Sequence, residues 1–318
     1  MDVYSVGSER ELNGFIDRYV RPDTVFQTSC NTIVDRLVHF LQNNVSGRLR
    51  PRRVVKSGSL GKGTAVRGKS DIDLVLMLAA YTDVEALLKD IKALLAELQT
   101  YLVRYGEARL ERVTSYSVQV ELTGGGVTQS VDILPAVDLL EIGVIPKEIY
   151  DKMSRPGANI HEYSVTLGPL QVEIIKALPA KVKDLIRIIK YWEDVKMKSV
   201  KNRKWPSSYT LELVILHAWN QAGKPESFNM AHALHAVLTL LVEHQQLKAT
   251  FPDQMKYSSR LLRIRSPPYI MDPTNPYNDM YHGLFDTAWD WEDVAMEARA
   301  WLRKPLLCQL RNTRNRWQ

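Results

Sequence analysis

Apolar residues recur with two different periods along the chain, and the two periods predict two kinds of structure. In the first half, the stretch DIDLVLML at 71–78 begins by alternating and ends as an apolar run, as a largely buried strand does. Beyond about residue 155, nearly every periodic segment has apolar residues three or four positions apart, which is the spacing of a helix that buries one face. The pattern predicts helices at 9–20, 25–43, 83–102, 180–197, 207–222, 230–247 and 290–303, and strands at 71–78, 115–122 and 129–136.

These elements predict an α+β fold made of two lobes. We expect a mixed-sheet lobe over residues 1–155 and a helical lobe over residues 156–318, with the active site in the cleft between them. The glycines at 124–126 are expected to form the turn that joins two of the strands. With 318 residues, of which 45% are apolar, the chain is long enough and apolar enough to build such a core.

Basic residues are concentrated in two segments of the chain. The formal net charge is +6, and eight basic residues with no acidic one lie between Arg48 and Lys69. Ten more lie between Lys176 and Lys204, against three acidic residues. A modest basic excess is by itself typical of a solvated surface. Two dense basic segments in an otherwise balanced chain favour a partner rich in phosphate.

The sequence also indicates the compartment. Its two cysteines, Cys30 and Cys308, cannot form a disulfide framework or a structural zinc site by themselves. The N-terminal residues lack the basic and apolar segments of a secretory signal, and no stretch has the length of apolar residues that a membrane span requires. We therefore expect a cytosolic protein that binds no membrane, and nuclear access is left open.

The glycine-rich stretch GSLGKGT at 58–64 invites comparison with a phosphate-binding loop. It is not a P-loop, because only two residues separate Gly58 from the Gly61-Lys62 pair, and a glycine follows where that motif has Ser or Thr. Closely spaced glycines still allow backbone N–H groups to approach an anion. A mobile turn between two strands fits the heptapeptide equally well.

Three aspartates indicate the chemistry. Asp71 and Asp73 are two residues apart, so their side chains project from the same face of an extended strand. Asp132 lies in another predicted strand and is expected beside them across the sheet. A lone Asp-x-Asp is common at turns and surfaces. Three carboxylates next to a glycine turn, however, are the hard oxygen ligands of a two-magnesium site for nucleotidyl transfer.

The order Gly-Ser, Asp-x-Asp and a later Asp resembles the nucleotidyltransferase superfamily related to polymerase beta. A narrower resemblance, to the 2′-5′-oligoadenylate synthetases, runs in order from about residue 11 to 305. The segments that carry it are FIDRYVRPDTVFQTSCN, GSLGKGTAVRGKSDIDLVLML, VDILPAVDLL, VKDLIRIIKYW, PSSYTLELVILHAW, FNMAHALHAVLTLLVEHQQL and IMDPTNPYND. The resemblance implies a nucleotidyltransferase N-terminal lobe and an enzyme that joins ATP molecules through 2′-5′ bonds and releases pyrophosphate.

Roles for individual residues follow from the resemblance. Asp71 and Asp73 would bind both magnesium ions, while Asp132 would share one ion and help to deprotonate the acceptor 2′-hydroxyl. Tyr209 matches a family tyrosine that stacks on adenine, and Ser208 stands where the family has a base-reading glutamine, which leaves other bases open. The remaining residues expected to contact the donor triphosphate are Gly58, Ser59, Lys62, Arg187 and Lys190.

The resemblance also implies activation by double-stranded RNA in innate antiviral defence. Asn31, Lys56 and Lys176 match family positions that contact RNA, whereas two other such positions are Gln42 and Val172. The arginines that stand as replacements for those contacts are Arg48, Arg50, Arg52 and Arg53. Because the RNA-contacting set is incomplete, constitutive activity without RNA is left open.

Three further points bear on the choice of function. A related enzyme that makes a cyclic dinucleotide stays open, and the intact aspartates disfavour a non-catalytic RNA-binding adaptor. His232 and His235 are interpreted as ordinary helix residues, because neither cysteine nor a third histidine stands near them at zinc spacing. The family's tetramer-forming triplet aligns with residues 306–308, which read Leu-Leu-Cys, so we expect a monomer.

Overall fold

The protein is described by a computed structural model. It describes residues 2–68, 72–141, 146–155, 160–197, 203–262, 266–282 and 288–317. Contacts between residues group the chain into two compact units, which are treated separately. The sheet unit comprises Pro22–Lys176, and the helical unit comprises Met1–Arg21 together with Ala177–Gln318.

Helices and strands alternate in the first half of the chain, and helices dominate the second half. The helices are α1 (Glu9–Phe15), α2 (Thr24–Asn44), α3 (Gly58–Lys62), α4 (Val84–Tyr105), α5 (Pro146–Met153), α6 (Ile160–Lys176), α7 (Ala180–Trp192), α8 (Ser208–Gln221), α9 (Met230–Val242) and α10 (Trp291–Leu302). The strands are β1 (Pro51–Ser57), β2 (Ile72–Leu78), β3 (Ala108–Val113), β4 (Val118–Gly124), β5 (Val127–Val137), β6 (Lys248–Ala249), β7 (Tyr269–Asp272) and β8 (Asn275–Asp279).

The sheet unit is built on a mixed sheet of five strands in the order β1-β2-β5-β4-β3. The central pair, β2 and β5, runs parallel, and the other neighbouring pairs run antiparallel. The hairpin between β4 and β5 turns at Gly125 and Gly126, which have φ of +59° and +77°. Glycine adopts this left-handed conformation without the strain that a side chain would introduce.

Helices cover both faces of this sheet. On one face, Val75, Met77 and Ala136 form an apolar cluster against which Val165 of α6 packs. On the opposite face, α2 comes so close that a Cβ added to Gly124 would lie 2.8 Å from Ile33 Cγ2. Burial on both faces explains why β2 ends as an almost continuous apolar run.

The helical unit packs α7, α8, α9 and α10 around a core that contains the buried Trp192 and Trp301. Side-chain caps define where two of these helices begin: Ser207 Oγ accepts a hydrogen bond from Thr210 N, and Asn229 Oδ1 accepts one from His232 N. A small sheet of β6, β7 and β8 completes the unit. Among the described residues, no helix combines the length and apolar character needed to cross a membrane.

The expected α+β fold class, with a mixed sheet followed by helices, is confirmed. All the predicted helices and strands form, with ends shifted by a few residues. The contact-defined units part at residue 176, whereas the predicted lobes of 1–155 and 156–318 part earlier. Contacts group α6 with the sheet, and Thr166 Oγ1 donates a hydrogen bond to the Val137 carbonyl 3.2 Å away. The lobe division at residue 155 stays a prediction.

Candidate active site

The glycine-rich stretch folds as a short helix rather than as an open turn between two strands. β1 ends at Ser57, and α3 begins at once with Gly58, whose φ is +63°. Gly63 ends the helix with φ of +71°. A bridge between Gly58 and Ile72 continues the pairing of β1 with β2 up to the first residue of α3. The glycine segment is therefore held against the start of β2.

Residue 61 lies so close to the backbone of strand β1 that it has no room for a side chain. A Cβ added at this position would lie 2.3 Å from the Lys56 carbonyl oxygen, a distance at which the backbone would have to move. Val172 of α6 packs on the same spot, with its Cγ1 3.8 Å from that added Cβ. Glycine is thus required at residue 61, and Val172, a position matched to RNA contact, is buried beside it.

Strand register places two of the three predicted aspartates side by side. Asp73 pairs with Asp132 across the parallel strands β2 and β5, and Ser57 pairs with Asp73 across β1 and β2. Residues paired in this way project from the same face of a sheet, with neighbouring strands about 4.8 Å apart. Both aspartates are partly exposed. Asp71 lies outside the described residues.

The donor groups of this row fit a hard divalent cation. Two carboxylates on adjacent strands supply the charged oxygen ligands that magnesium prefers. Ser117 supports one of them, because its Oγ donates a hydrogen bond to Asp132 Oδ1 at 3.3 Å. Within the described residues, no group of three or more His, Cys, Asp or Glu side chains is placed to hold a metal ion. Asp71 is not among the described residues and is therefore not part of this set.

Two predicted phosphate ligands of α3 are largely buried in the sheet unit. Ser59 is 4% exposed and Lys62 is 8% exposed, although both were expected to contact the donor triphosphate. Their assignment to the triphosphate stays a prediction. Gly58 stands at the start of the same helix and is more accessible than either of them.

Arg187 and Lys190, the predicted phosphate ligands of α7, are both held in ion pairs within the helical unit. Arg187 Nη1 lies 2.7 Å from Asp184 Oδ1, and Lys190 Nζ lies 3.7 Å from Glu212 Oε1. Burial lowers the pKa of Arg187, and the neighbouring Asp184 counteracts that effect. The two cations are therefore fixed by acidic partners rather than displayed on a solvated helix edge.

The predicted base-contacting residues Tyr209 and Ser208 begin α8, and each is hydrogen-bonded to an acidic side chain. Tyr209 OH donates to Asp272 Oδ1 at 3.2 Å, and Ser208 Oγ donates to Glu193 Oε2 at 3.3 Å. Burial raises the pKa of Tyr209 well above its usual value, and the neighbouring Asp272 acts in the same direction. The hydroxyl end of the tyrosine is thus anchored, and the residue as a whole is half-buried.

The acidic partners form a pattern that the sequence analysis missed. The carboxylates that hold the four candidate nucleotide-binding residues of the helical unit are themselves buried, with exposures of 6%, 2%, 1% and 0% for Asp184, Glu193, Glu212 and Asp272. Asp272 also accepts hydrogen bonds from Thr274 and Asn278. An isolated acid among apolar helix positions, such as Glu212 in LELVIL, was the available indication.

The predicted RNA-contacting residues lie on strand β1 and on two helices of the sheet unit, each of which contacts that strand. Asn31 on α2 and Lys176 at the end of α6 are exposed, and both helices contact β1, which carries Lys56. Lys56 forms an ion pair with Asp35. Of the proposed replacement arginines, Arg53 donates two hydrogen bonds, of 2.7 and 2.9 Å, to the buried Asp138. Arg50 and Arg52 are exposed.

Two predictions remain, one for the histidines of α9 and one for the oligomeric state. His235 accepts or donates a hydrogen bond with Thr313 Oγ1 at 2.7 Å and lies on α9 with His232, which fits ordinary helix residues. In the segment matched to the family's tetramer contact, Leu306 and Leu307 are buried. The expected monomer stays a prediction.

Comparison with known proteins places this chain among one group of enzymes. Residues 145–318 match the family described as 2'-5'-oligoadenylate synthetase 1, domain 2, C-terminus. The chain is 30% identical to 2'-5'-oligoadenylate synthase 1A of Rattus norvegicus over 328 residues, which cover 93% of this chain and 90% of the relative. It is also 30% identical to the inactive 2'-5'-oligoadenylate synthase 1B of the same species, over 93% of this chain and 84% of that relative.

Solved structures show the same fold. The chain superimposes on CdnC of E. coli, solved with ATP, with a TM-score of 0.63 and 22% sequence identity, covering 93% of this chain and 90% of that one. At this identity the likeness establishes the fold and not the reaction.

Proposed function

Because the chain belongs to the 2′-5′-oligoadenylate synthase family of nucleotidyltransferases, we propose that it joins ATP molecules through 2′-5′ phosphodiester bonds, releases pyrophosphate and responds to double-stranded RNA. The observation that carries the proposal is the pairing of Asp73 with Asp132, directly beside Ser57 and the start of α3. A nucleotidyltransferase needs its carboxylates next to the segment that holds the triphosphate, and the register that sets Asp73 and Asp132 beside the start of α3 supports this proposal.

Two magnesium ions are the proposed cofactor, held by Asp71, Asp73 and Asp132. When bound, they would supply Lewis-acid polarisation of the reacting phosphate and charge neutralisation on the leaving group. Asp132 accepts the proton of the acceptor 2′-hydroxyl in this scheme. Ser117 donates to Asp132 Oδ1, and this hydrogen bond supports the orientation of the carboxylate, whose other lone pairs would serve a metal ion and the acceptor.

The residues proposed to contact the donor nucleotide are described for each unit by itself. In the sheet unit, the residues are Gly58, Ser59 and Lys62; in the helical unit, they are Arg187 and Lys190 for the phosphates and Tyr209 and Ser208 for the base. The anchored hydroxyl of Tyr209 supports its role, because a ring that is held by one end loses little conformational freedom when a base stacks on it.

Double-stranded RNA is the proposed activator, contacted by Asn31, Lys56 and Lys176. Duplex RNA is bound mainly through phosphates and 2′-hydroxyls, which suits exposed Lys and Asn side chains. The contacts of Gly61 support a route from RNA to the catalytic segment: α3 packs against the Lys56 carbonyl of β1 and against α6, which ends at Lys176. We further propose a cytosolic enzyme of antiviral defence that acts as a monomer.

A non-catalytic RNA-binding protein is the second candidate function. It is favoured by one observation, namely that a relative named inactive is as similar to this chain, at 30% identity, as one named a synthase. The two candidates differ in one measurable respect, because only an enzyme converts ATP into product.

The test is incubation of the purified protein with labelled ATP and magnesium, with and without long double-stranded RNA, followed by nuclease mapping of the products. We expect a ladder of oligomers that resists a nuclease specific for 3′-5′ bonds and that forms only with RNA. The same ladder without RNA contradicts RNA dependence. A nuclease-resistant product without free ends indicates a cyclic dinucleotide, and RNA binding without any product supports the second candidate.

A further inference from the structure

Asp184 is a buried carboxylate that two arginines share. Its Oδ1 accepts hydrogen bonds from Arg187 Nη1 at 2.7 Å and from Arg21 Nε at 3.2 Å, and its Oδ2 accepts one from Arg21 Nη2. The carboxylate side chain is 8% exposed, compared with 12% for Arg187 and 44% for Arg21. Three charge-assisted hydrogen bonds on one buried carboxylate fix the position of both guanidinium groups.

Arg21 stands where the chain leaves the helical unit. It directly follows the π-helical turn Ile16–Val20, with its backbone N–H bonded to the Ile16 carbonyl at 2.7 Å and an extended ψ of 125°. The next residue, Pro22, belongs to the sheet unit. Arg21 also pairs with Asp17 one turn earlier. The outer arginine of the cluster is therefore part of the segment in which the chain passes between the units.

Because Arg21 and Arg187 share the Asp184 carboxylate, the charge on Arg21 determines how far Asp184 neutralises Arg187. Asp17 is a second acid beside Arg21, so with both arginines in place the four groups Asp17, Arg21, Asp184 and Arg187 have a net charge of zero. If Arg21 lost its charge, Asp184 would lose the guanidinium that competes with Arg187 for it, and the net charge of the four groups would fall to −1. Asp184 and Arg187 are buried whereas Arg21 is 44% exposed, so water screens a part of this difference.

We propose that Asp184 is a positioning residue for Arg187, and that Arg21, by occupying two of its three hydrogen bonds, keeps Arg187 available to a nucleotide triphosphate. This inference rests on the proposed function in one respect, the assignment of Arg187 to the phosphates. Linkage makes the effect reciprocal: a triphosphate that draws Arg187 away from Asp184 strengthens the hold of Asp184 on Arg21. Nucleotide binding then tightens the segment at which the chain crosses between the units.

The test compares Arg21→Met with Arg18→Met, an exposed arginine of the same turn whose loss makes the same change in net charge. Binding of a non-hydrolysable ATP analogue is measured by calorimetry, and KM and kcat are measured with RNA. We expect Arg21→Met to raise Kd and KM about two- to fivefold with kcat within about twofold, and Arg18→Met to change neither. Arg21→Lys, which keeps the charge but not the two-point contact with Asp184, should recover part of the affinity.

A double-mutant cycle separates this positioning role from general destabilisation. In an Asp184→Asn background, Arg21→Met should have no further effect on Kd, because the carboxylate that couples the two arginines is gone. Equal Kd for Arg21→Met and Arg18→Met, in a protein that makes product, overturns the inference and leaves the proposed function intact. A wild-type protein that binds the analogue but makes no product contradicts the proposed function, and the inference is then decided by the Kd values alone.

Discussion

The two units of the molecule hold their candidate site residues in different ways. In the sheet unit, Asp73 and Asp132 are placed by the register of neighbouring strands, and Gly58 by a left-handed backbone conformation. In the helical unit, Arg187, Lys190, Ser208 and Tyr209 are each held by a buried acidic side chain from another turn or element.

The two ways of placing residues predict that the two units respond to different kinds of substitution. A residue placed by the backbone depends on strand pairing and close packing, so small steric changes nearby displace it. A residue placed by a buried acid depends on one polar contact, and removing either partner leaves an unsatisfied buried group. The sheet unit should therefore respond most to added volume, and the helical unit to lost hydrogen bonds.

The largest effect on stability is expected from one added methyl group in the sheet unit. Gly61→Ala forces a Cβ within 2.3 Å of the Lys56 carbonyl oxygen, so we expect a loss of about 2–4 kcal/mol of unfolding free energy and at least a hundredfold drop in product formation. Gly14→Ala in α1 is the matched control, since its Cβ meets nothing within 4 Å. It should stabilise the protein by about 0.5–1 kcal/mol. Denaturant unfolding that shows equal stability for the two variants would refute the steric account.

A hydrogen-bond deletion tests the helical unit. Tyr209→Phe removes the donor to Asp272 but keeps the ring, so we expect a loss of about 1–2 kcal/mol of stability and an ATP KM within about threefold of wild type. Tyr209→Ala removes the stacking surface and should raise KM about tenfold or more. Steady-state kinetics and denaturant unfolding measure both quantities. An unchanged KM for Tyr209→Ala would show that the ring does not contact the base.

Charge removal on the predicted RNA surface should have a smaller and uniform effect. Replacing Lys56 and Lys176 by Met should weaken binding of double-stranded RNA several-fold without regard to its sequence, and should reduce the salt dependence by about one ion per lysine. Lys89→Met, on the exposed side of α4, is the control. Titration of a labelled duplex at several salt concentrations measures the slope. An identical slope for the double variant and the control would locate the RNA elsewhere.

The pH dependence of stability should come from the helical unit. Burial lowers the pKa of His217 to about 4 and also lowers the pKa values of His235 and His244. Between pH 4 and 6.5 these three histidines therefore bind more protons in the unfolded chain, so their contribution to stability is complete above about pH 6.5 and is lost as the pH falls. We expect a loss on the order of 1–2 kcal/mol from pH 7.5 to 5, reduced in His217→Gln. Denaturant unfolding at both pH values checks the sign, and a gain at pH 5 would contradict it.

The sequence was informative where local pattern and backbone geometry coincide. The alternation of DIDLVLML predicted β2, and the second apolar strand at VDIL led to the expectation that Asp132 lies beside it across the sheet. The strand β1 was missed, because PRRVVKS is basic and ends at the glycine segment, and β3 was missed because ARLERV is a charged edge strand. The sheet of β6, β7 and β8 has short strands without clear alternation.

Contacts between side chains that are far apart in the sequence could not be predicted from residue spacing. Tyr209 and Asp272 are 63 residues apart, and Arg21 and Asp184 are 163 residues apart. No local periodicity relates such pairs, because the packing of helices in three dimensions brings them together. The pair Asp184 and Arg187 was within reach, since residues three apart share a helix face.

The most direct test of the central claim is the rate of product formation by Asp132→Asn compared with Ser117→Ala, at saturating ATP, magnesium and double-stranded RNA. If the register-paired carboxylates carry the chemistry, Asp132→Asn loses about a thousandfold or more in rate while RNA affinity and melting temperature stay near wild type. Ser117→Ala, which removes only the supporting hydrogen bond, should stay within about tenfold of wild type. A near-wild-type rate for Asp132→Asn would contradict the assignment of the chemistry to this row of the sheet.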